Sequence, residues 1–307
     1  MHGHIGNILY PSGGDLIFKT GIKFPPSTGL QYFDEKNLFR ETFLSKKLDK
    51  LFPMWATNCE RKRNAAATLE NFQKSMITSA ETGIKIKYSV CLPIAPNNTY
   101  EDARTAAESD PRIIPFTSPD FTLDLKSMRE KLFSDLDDGA AGVKIHPILQ
   151  ETEADSNEVM QAIETTAAYS KYLPVLFHAG EAKYYTPKEN KKQFSQNASI
   201  KKIERVISAF PEMTFIVGHA GLREIVQVMD LLSKYKNVFA DTSFQPPEAI
   251  KALISSFGGD RVLFASDWPY GLRKPALMAV KEACGDDDLL LKAILYDNAF
   301  GILNLPL

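Results

Sequence analysis

Pro174-Val175-Leu176-Phe177-His178-Ala179-Gly180 and Thr214-Phe215-Ile216-Val217-Gly218-His219-Ala220-Gly221 are the two stretches whose reading decides the fold. Each is a short apolar run that ends on a histidine followed by small residues. Runs that are apolar throughout, rather than at alternate positions, fit strands covered on both faces, as in a parallel sheet. Between them, in Ile200–Phe210, Ile203, Val206, Ile207 and Phe210 recur at three- and four-residue steps, the spacing of one helix face. Strand, helix, strand in that order is a βαβ unit with a right-handed crossover.

The same alternation extends in both directions. Strand-like runs occupy Ile84–Ala95, Arg112–Ser118, Gly142–Pro147, Val238–Ser243 and Val262–Pro269. Helical spacing fills Leu123–Leu136 (Leu125, Met128, Leu132 and Leu136 on one face), Ile225–Tyr235 and Pro247–Phe257. A first strand at the extreme N-terminus brings the number to eight, which closes a (β/α)8 TIM barrel. The α/β chain of 307 residues has the length of one such barrel with a long loop, and no composition break divides it, so 1–307 reads as a single domain. Residues 7–60, rich in Gly, Pro and aromatics, follow the first strand. They are expected at the barrel mouth as a lid or pocket wall, or else as a patch that seals the barrel or meets a second copy in a homodimer.

Composition excludes several classes. With 44% hydrophobic residues and a net charge of −2, the chain is neither disordered nor built to hold a polyanion, so no nucleic-acid partner is expected. No apolar stretch approaches the roughly 18 residues of a membrane span, and Met1-His2-Gly3-His4 does not open a secretory signal. Cys59, Cys91 and Cys284 are odd in number and far apart, which suits a reduced, cytoplasmic protein.

All five histidines, His2, His4, His146, His178 and His219, fall at the C-terminal ends of proposed strands. Those ends make up very roughly a tenth of the chain, so chance placement is on the order of one in 10⁵. The C-terminal rim is where (β/α)8 barrels build their active sites. On a strand, residues i and i+2 share a face, so His2 and His4 can grip one ion, and Lys144 and His146 repeat that geometry. Asp267 ends the apolar run Val262-Leu263-Phe264-Ala265-Ser266-Asp267, where a carboxylate is costly unless paired or metal-bound; a helix cap or turn is its ordinary alternative. Three imidazoles and a carboxylate suit zinc or another divalent ion, with a remaining coordination position for a water whose pKa falls toward about 7. A further histidine beside that water can move protons.

The set His2-x-His4, Gly142-Val143-Lys144-Ile145-His146-Pro147, Phe177-His178-Ala179-Gly180, Val217-Gly218-His219-Ala220-Gly221, Asp241-Thr242-Ser243, Phe264-Ala265-Ser266-Asp267-Trp268-Pro269 and Asn298-Ala299-Phe300-Gly301-Ile302-Leu303 resembles the amidohydrolase superfamily. It is similar in particular to the amidohydrolase-related branch (amidohydrolase 2 type) of metal-dependent hydrolases and decarboxylases. The resemblance implies that His2, His4, His178 and Asp267 hold the metal. It also implies that His219 is the acid/base, with Asp267 sharing proton transfer. One metal is expected, zinc first and manganese second; the alternative is a second metal bridged by carbamylated Lys144. His146 and Lys144 would then face the substrate or support the ligands. Asp241 would contact substrate, or serve as an ordinary turn-former. The family's first strand carries apolar residues before His-x-His, whereas this sequence starts at Met1, so either a few residues are missing from the start or a weakly held first strand, with its metal weakly bound, is expected.

The leading functional reading is a hydrolase that uses metal-activated water on the amide, lactone or ester carbonyl of a small molecule. One alternative is a non-oxidative decarboxylase of an aromatic or unsaturated carboxylic acid, for which Lys144, Arg223 and Arg273 are candidate cations. The other is a metal-free binding barrel.

Overall fold

The computed structural model describes residues 1–25, 60–185 and 194–303. Most of the expected mouth segment 7–60 therefore lies outside the described residues, as does Cys59. Seven strands follow one another along the chain: β1 (Ser89–Cys91), β2 (Ile113–Pro115), β3 (Val143–Ile145), β4 (Val175–Phe177), β5 (Phe215–Val217), β6 (Val238–Asp241) and β7 (Val262–Leu263). Each lies inside a run expected from sequence but is shorter, because the last residues of the run leave the ladder before the mouth.

β1 pairs with β2, and β3 through β7 pair in chain order, all parallel. Single bridges join the two ladders. Thr117 bridges Val143 and Gly3 bridges Trp268, both in parallel. Lys144 N–H donates to Thr117 O at 2.7 Å, linking the end of β2 to β3. Leu92 N–H donates to Gly3 O at 2.8 Å, while His4 N–H donates to Trp268 O at 2.7 Å and Asp267 N–H to His2 O at 3.0 Å. Residues 1–5 thus sit between β1 and the continuation of β7, and the eight-membered order returns on itself as a (β/α)8 TIM barrel. The first strand, expected to be weakly held, is hydrogen-bonded along both edges.

The helices carry the apolar stripes read from the sequence, and some begin on a capping side chain. Asp124 accepts from Lys126 N–H and Ser127 N–H at the start of Leu125–Asp137, and Ser156 caps Asn157–Tyr169 through Val159 N–H. Met128, Leu132 and Leu136 are buried, but Leu125, expected on the same face, opens the first turn and is 38% exposed. Pro247 opens Pro247–Phe257 in the first helical turn, where its missing N–H costs nothing. Among the described residues, no helix is long and apolar enough to cross a membrane. Cys91 and Cys284 are buried free thiols.

Strand parity sorts the core into two layers. Val143, Ile145, Val175, Phe177, Phe215 and Val217 face outward and pack against the helices. Leu92, Phe116, Leu176, Ile216 and Leu263 belong to a separate cluster that fills the barrel interior. The side chain two residues after an interior position points inward again, one layer nearer the C-terminal mouth.

Candidate metal centre and active site

That parity carries the chemistry. Lys144 lies opposite Ile145's outward face and His146 follows two residues on; His178 follows Leu176, Asp241 follows Phe239, and Asp267 continues the series Leu263, Ala265. All five histidines, with Lys144, Asp241 and Asp267, are buried, and none is more than 6% exposed.

His2, His4 and Asp267 form the tightest group: one ligand atom from each lies within 4.8 Å of the others. His2 Nδ1 bonds Asp241 Oδ2 at 2.8 Å and His4 Nδ1 bonds Leu92 O at 2.7 Å. Both partners are acceptors, so in the neutral rings the proton sits on Nδ1 and Nε2 carries the lone pair. These two Nε2 atoms stand 3.5 and 3.3 Å from Asp267 Oδ1, an oxygen that is buried and has no hydrogen-bond partner. Two imidazole nitrogens facing a buried, unpartnered carboxylate oxygen suit a cation, and this donor set of two imidazoles and a carboxylate fits zinc or manganese. Burial pushes the His2 imidazole down to about 3, reinforced by the Lys144 ammonium and opposed by Asp267 and Asp241; burial lowers His4 as well. Neutral rings are the ligating form.

Asp241 orients a histidine and also shapes the turn after β6. Its Oδ2 holds His2, and its Oδ1 accepts from the N–H groups of His219 and Ser243, each at 2.9 Å. Burial works to raise this carboxyl, but the charge and hydrogen bond of His2 hold it well below the carboxylate range. A carboxylate behind a ligand histidine fixes its tautomer and ring orientation.

His219 reaches the centre by a backbone device. Gly218 takes the inward strand position, where a Cβ would stand 2.6 Å from Phe177 O and 3.3 Å from His2 Cε1. The chain then turns left-handed at His219 (φ 50°, ψ 23°), which brings its Nε2 to 3.2 Å from Asp267 Oδ2. Asp267 is itself left-handed, with φ 54°. Such conformations cost of order 1–3 kcal/mol each and concentrate at functional sites. Burial would raise the Asp267 carboxyl, yet the charge of His2 and the contacts of His219 and His4 keep it well below its ordinary range.

His178 stands outside the trio. Its ring stacks on His146 (centroids 4.0 Å apart, 10° between planes) and lies 4.7 Å from the His219 ring. Lys144 Nζ lies 3.1 Å from His2 Nε2, and burial lowers its ammonium to about 8. Arg273, a candidate substrate cation by sequence, is not at the mouth. It is buried with Nε and Nη2 donating to the Ser75 and Ser89 hydroxyls at 2.9 Å, 4.6 Å above the Phe72 ring. Arg223 is exposed.

Three residues at the mouth carried no sequence signal. Tyr184 places its hydroxyl on His146 and His178, and Tyr270 packs edge-on to His4 at 6.1 Å while bonding Asn64. Glu60 is pushed up to about 7, by burial first and the Asp267 charge second. None lies on a strand, so no periodicity marks them. In the described part of the expected mouth segment, Ile8, Leu9 and Tyr10 pack with Tyr184, Tyr270 and Phe244 beside the histidines.

The amidohydrolase family model matches residues 60–305. The chain belongs to the amidohydrolase family. No curated protein matches it significantly. Among solved structures it is similar to an uncharacterized TIM-barrel protein from Bordetella bronchiseptica (18% identity, TM-score 0.62, covering 85% of this chain and 92% of that one). It is also similar to a 2,6-dihydroxybenzoate decarboxylase complexed with 2,6-dihydroxybenzoate (15%, 0.60, 99% of each chain). A third is a 5-carboxyvanillate decarboxylase from Novosphingobium aromaticivorans complexed with manganese and a nitrobenzoic acid (16%, 0.55, 75% and 79%). At these identities the likeness concerns the fold.

Proposed function

We propose that this amidohydrolase-family chain is a metal-dependent hydrolase acting on an amide, lactone or ester carbonyl of a small molecule. The observation that carries the reading is the placement of Asp267, with Oδ1 facing the lone pairs of His2 and His4 and Oδ2 3.2 Å from His219 Nε2. His2, His4 and Asp267, with His178, whose buried Nε2 has no hydrogen-bond partner, would hold one divalent ion, zinc by preference for this nitrogen-rich set and manganese as the alternative. Such an ion supplies Lewis acidity toward a carbonyl and a water of lowered pKa. Asp267 accepts the proton of the attacking water and passes it to His219 Nε2. His219 then delivers it to the leaving group. Asp241 holds His2 and, through the His219 N–H, the backbone of the acid/base residue. Lys144, close to His2 Nε2, would bridge a second metal only if carbamylated, and we assign it a supporting role.

A decarboxylase is the second reading, favoured by the two structural neighbours named for decarboxylation of aromatic acids. It needs a cation for the substrate carboxylate. Of its candidates, Lys144 lies against His2 and Arg273 donates to two serines away from the mouth. The reading carries a cytoplasmic setting and one TIM-barrel domain with it.

Metal quantitation on purified protein, followed by screening of lactones, amides, esters and aromatic acids with carbon dioxide detection, tests both. Hydrolysis that requires the ion supports the first reading, and carbon dioxide release replaces it with the second. His219→Asn should retain the metal and lose about 10²–10⁴-fold in turnover, the usual contribution of a positioned proton-transfer group. Full activity in that variant removes His219 from the mechanism.

A further inference from the structure

The loop after β5 is left-handed over four successive residues: His219 (φ 50°, ψ 23°), Ala220 (φ 45°, ψ 37°), Gly221 (φ 77°, ψ 16°) and Leu222 (φ 55°, ψ −115°). Glycine adopts such angles freely, but at the other three the Cβ opposes them, so the turn has to be held from outside. The residues that hold it stand at the end of β6. Asp241 Oδ1 accepts from the His219 N–H at 2.9 Å, which fixes the peptide group before the imidazole. Gln245 Nε2 donates to His219 O at 2.6 Å and to Leu222 O at 3.2 Å, which fixes the peptide group after it and the far end of the turn.

The orientation of the Gln245 amide follows from its partners. Both are carbonyls, which only accept, so the NH2 end faces them. Among the described residues Gln245 Oε1 is buried without a hydrogen-bond partner, a cost that an apolar side chain of the same length would avoid. The use of this side chain therefore lies at its nitrogen. Gln245 is 1% exposed and firmly anchored. Its N–H donates to Thr242 O at 3.1 Å, the Thr242 N–H donates to Leu263 O at 3.0 Å, and Thr242 Oγ1 accepts from the Ala265 N–H at 3.2 Å. The amide thus rides on β6 and β7, whose ends also carry Asp241 and Asp267.

We propose that Gln245 is a positioning residue for His219: its two hydrogen bonds keep the turn 219–222 left-handed and so hold the His219 imidazole against Asp267. The proposal rests on the reading of His219 as the acid/base. Asp241 restrains only the peptide before His219. With that peptide fixed, rotation about φ swings the Cβ and the carbonyl of His219 together, so anchoring the carbonyl anchors the ring. Phe244, itself left-handed at φ 62°, closes the other side with its ring 5.9 Å from that of His219.

The test follows amide hydrogen exchange by ¹⁵N NMR on histidine-labelled, zinc-loaded parent, Gln245→Met and Gln245→Asn protein. Zinc affinity is measured by dialysis, and kcat and KM on the substrate that the screen yields. Methionine keeps the length and removes the donor, whereas asparagine keeps the donor and draws it back by one methylene. In both variants the His219 N–H should exchange faster by about tenfold or more. The His178 N–H, which donates to Ile145 O at 2.8 Å in the barrel wall, should stay within about twofold and controls for general loosening. Zinc affinity should stay within about threefold, because Asp241 still holds His2. The kcat should fall about 10–10²-fold with KM within about twofold, the pattern of a misplaced group that acts in the transition state. Equal acceleration at His178 and His219 overturns the proposal, since it marks a general loss of stability. Full kcat in both Gln245 variants beside a slow His219→Asn overturns it too, whereas full turnover in His219→Asn overturns the acid/base reading instead. A parent His219 N–H that exchanges as fast as a solvent-exposed amide overturns the clamp even if neither variant folds.

Discussion

Acidification should destabilise the metal-free protein, and the magnitude follows from the histidines. His2, His146 and His178 are all buried, and burial pushes each imidazole far below the unfolded value of about 6.5. Such a ring takes up its proton only on unfolding. Its contribution is complete above about pH 6.5 and is lost as the pH falls, down to a native pKa of about 3 for His2. Between about pH 7 and about pH 5.5 each ring loses about 1.2 kcal/mol, or about 4 kcal/mol for the three, whatever their native values. His4 moves in the same direction. Glu60 opposes them: its native pKa is raised to about 7, so it contributes stability at low pH that is lost on the way up, about 1.5 kcal/mol over the same interval. The histidines win by about 2–3 kcal/mol. Urea unfolding in the presence of a chelator at the two pH values reads this directly. With a slope of about 3 kcal/mol/M, the midpoint should fall by about 0.7–1 M on acidification. An unchanged or higher midpoint at the lower pH would mean that these rings are hydrated or already protonated in the native state, and would refute the argument.

Asp241→Asn should weaken zinc binding by about 10–100-fold, measured by dialysis. Its three partners, His2 Nδ1–H and the N–H groups of His219 and Ser243, all donate, and an amide supplies only one accepting oxygen. Gly180→Ala should cost about 2–4 kcal/mol in denaturant unfolding, because Gly180 has φ +88° and an added Cβ would stand 2.2 Å from Gly221 O. An unchanged midpoint there would show that the turn after β4 can relax. Arg273→Ala should cost about 3 kcal/mol in the same assay, because it strips the buried Ser89 and half-buried Ser75 hydroxyls of their donor and uncovers the Phe72 ring; a change near zero would contradict this packing.

The sequence determined the barrel and the population of its mouth, because both follow from a local rule. In a strand the side-chain period is two, so a strand whose core position is known places every second side chain on the same face. Leu176 and His178, Lys144 and His146, and Ala265 and Asp267 were therefore assignable without any contact information. The helix Pro247–Phe257 agrees residue for residue with its apolar stripe, since helical period and capping are equally local. The tertiary structure decided whatever depends on ring closure. His2 meets Asp241 across 239 residues of chain, and the pairing that holds residues 1–5 is made with Leu92 and Trp268. Three further assignments also depended on it: Arg273 turned out to brace Ser75 and Ser89 instead of facing the mouth, Tyr184 to cap two histidines, and the lone pairs of His2 and His4 to meet Asp267 Oδ1 while His178 stacks on His146. Periodicity states which way a side chain points. The atom it meets there is set by the shear and radius of the closed barrel, and these belong to all eight strands together.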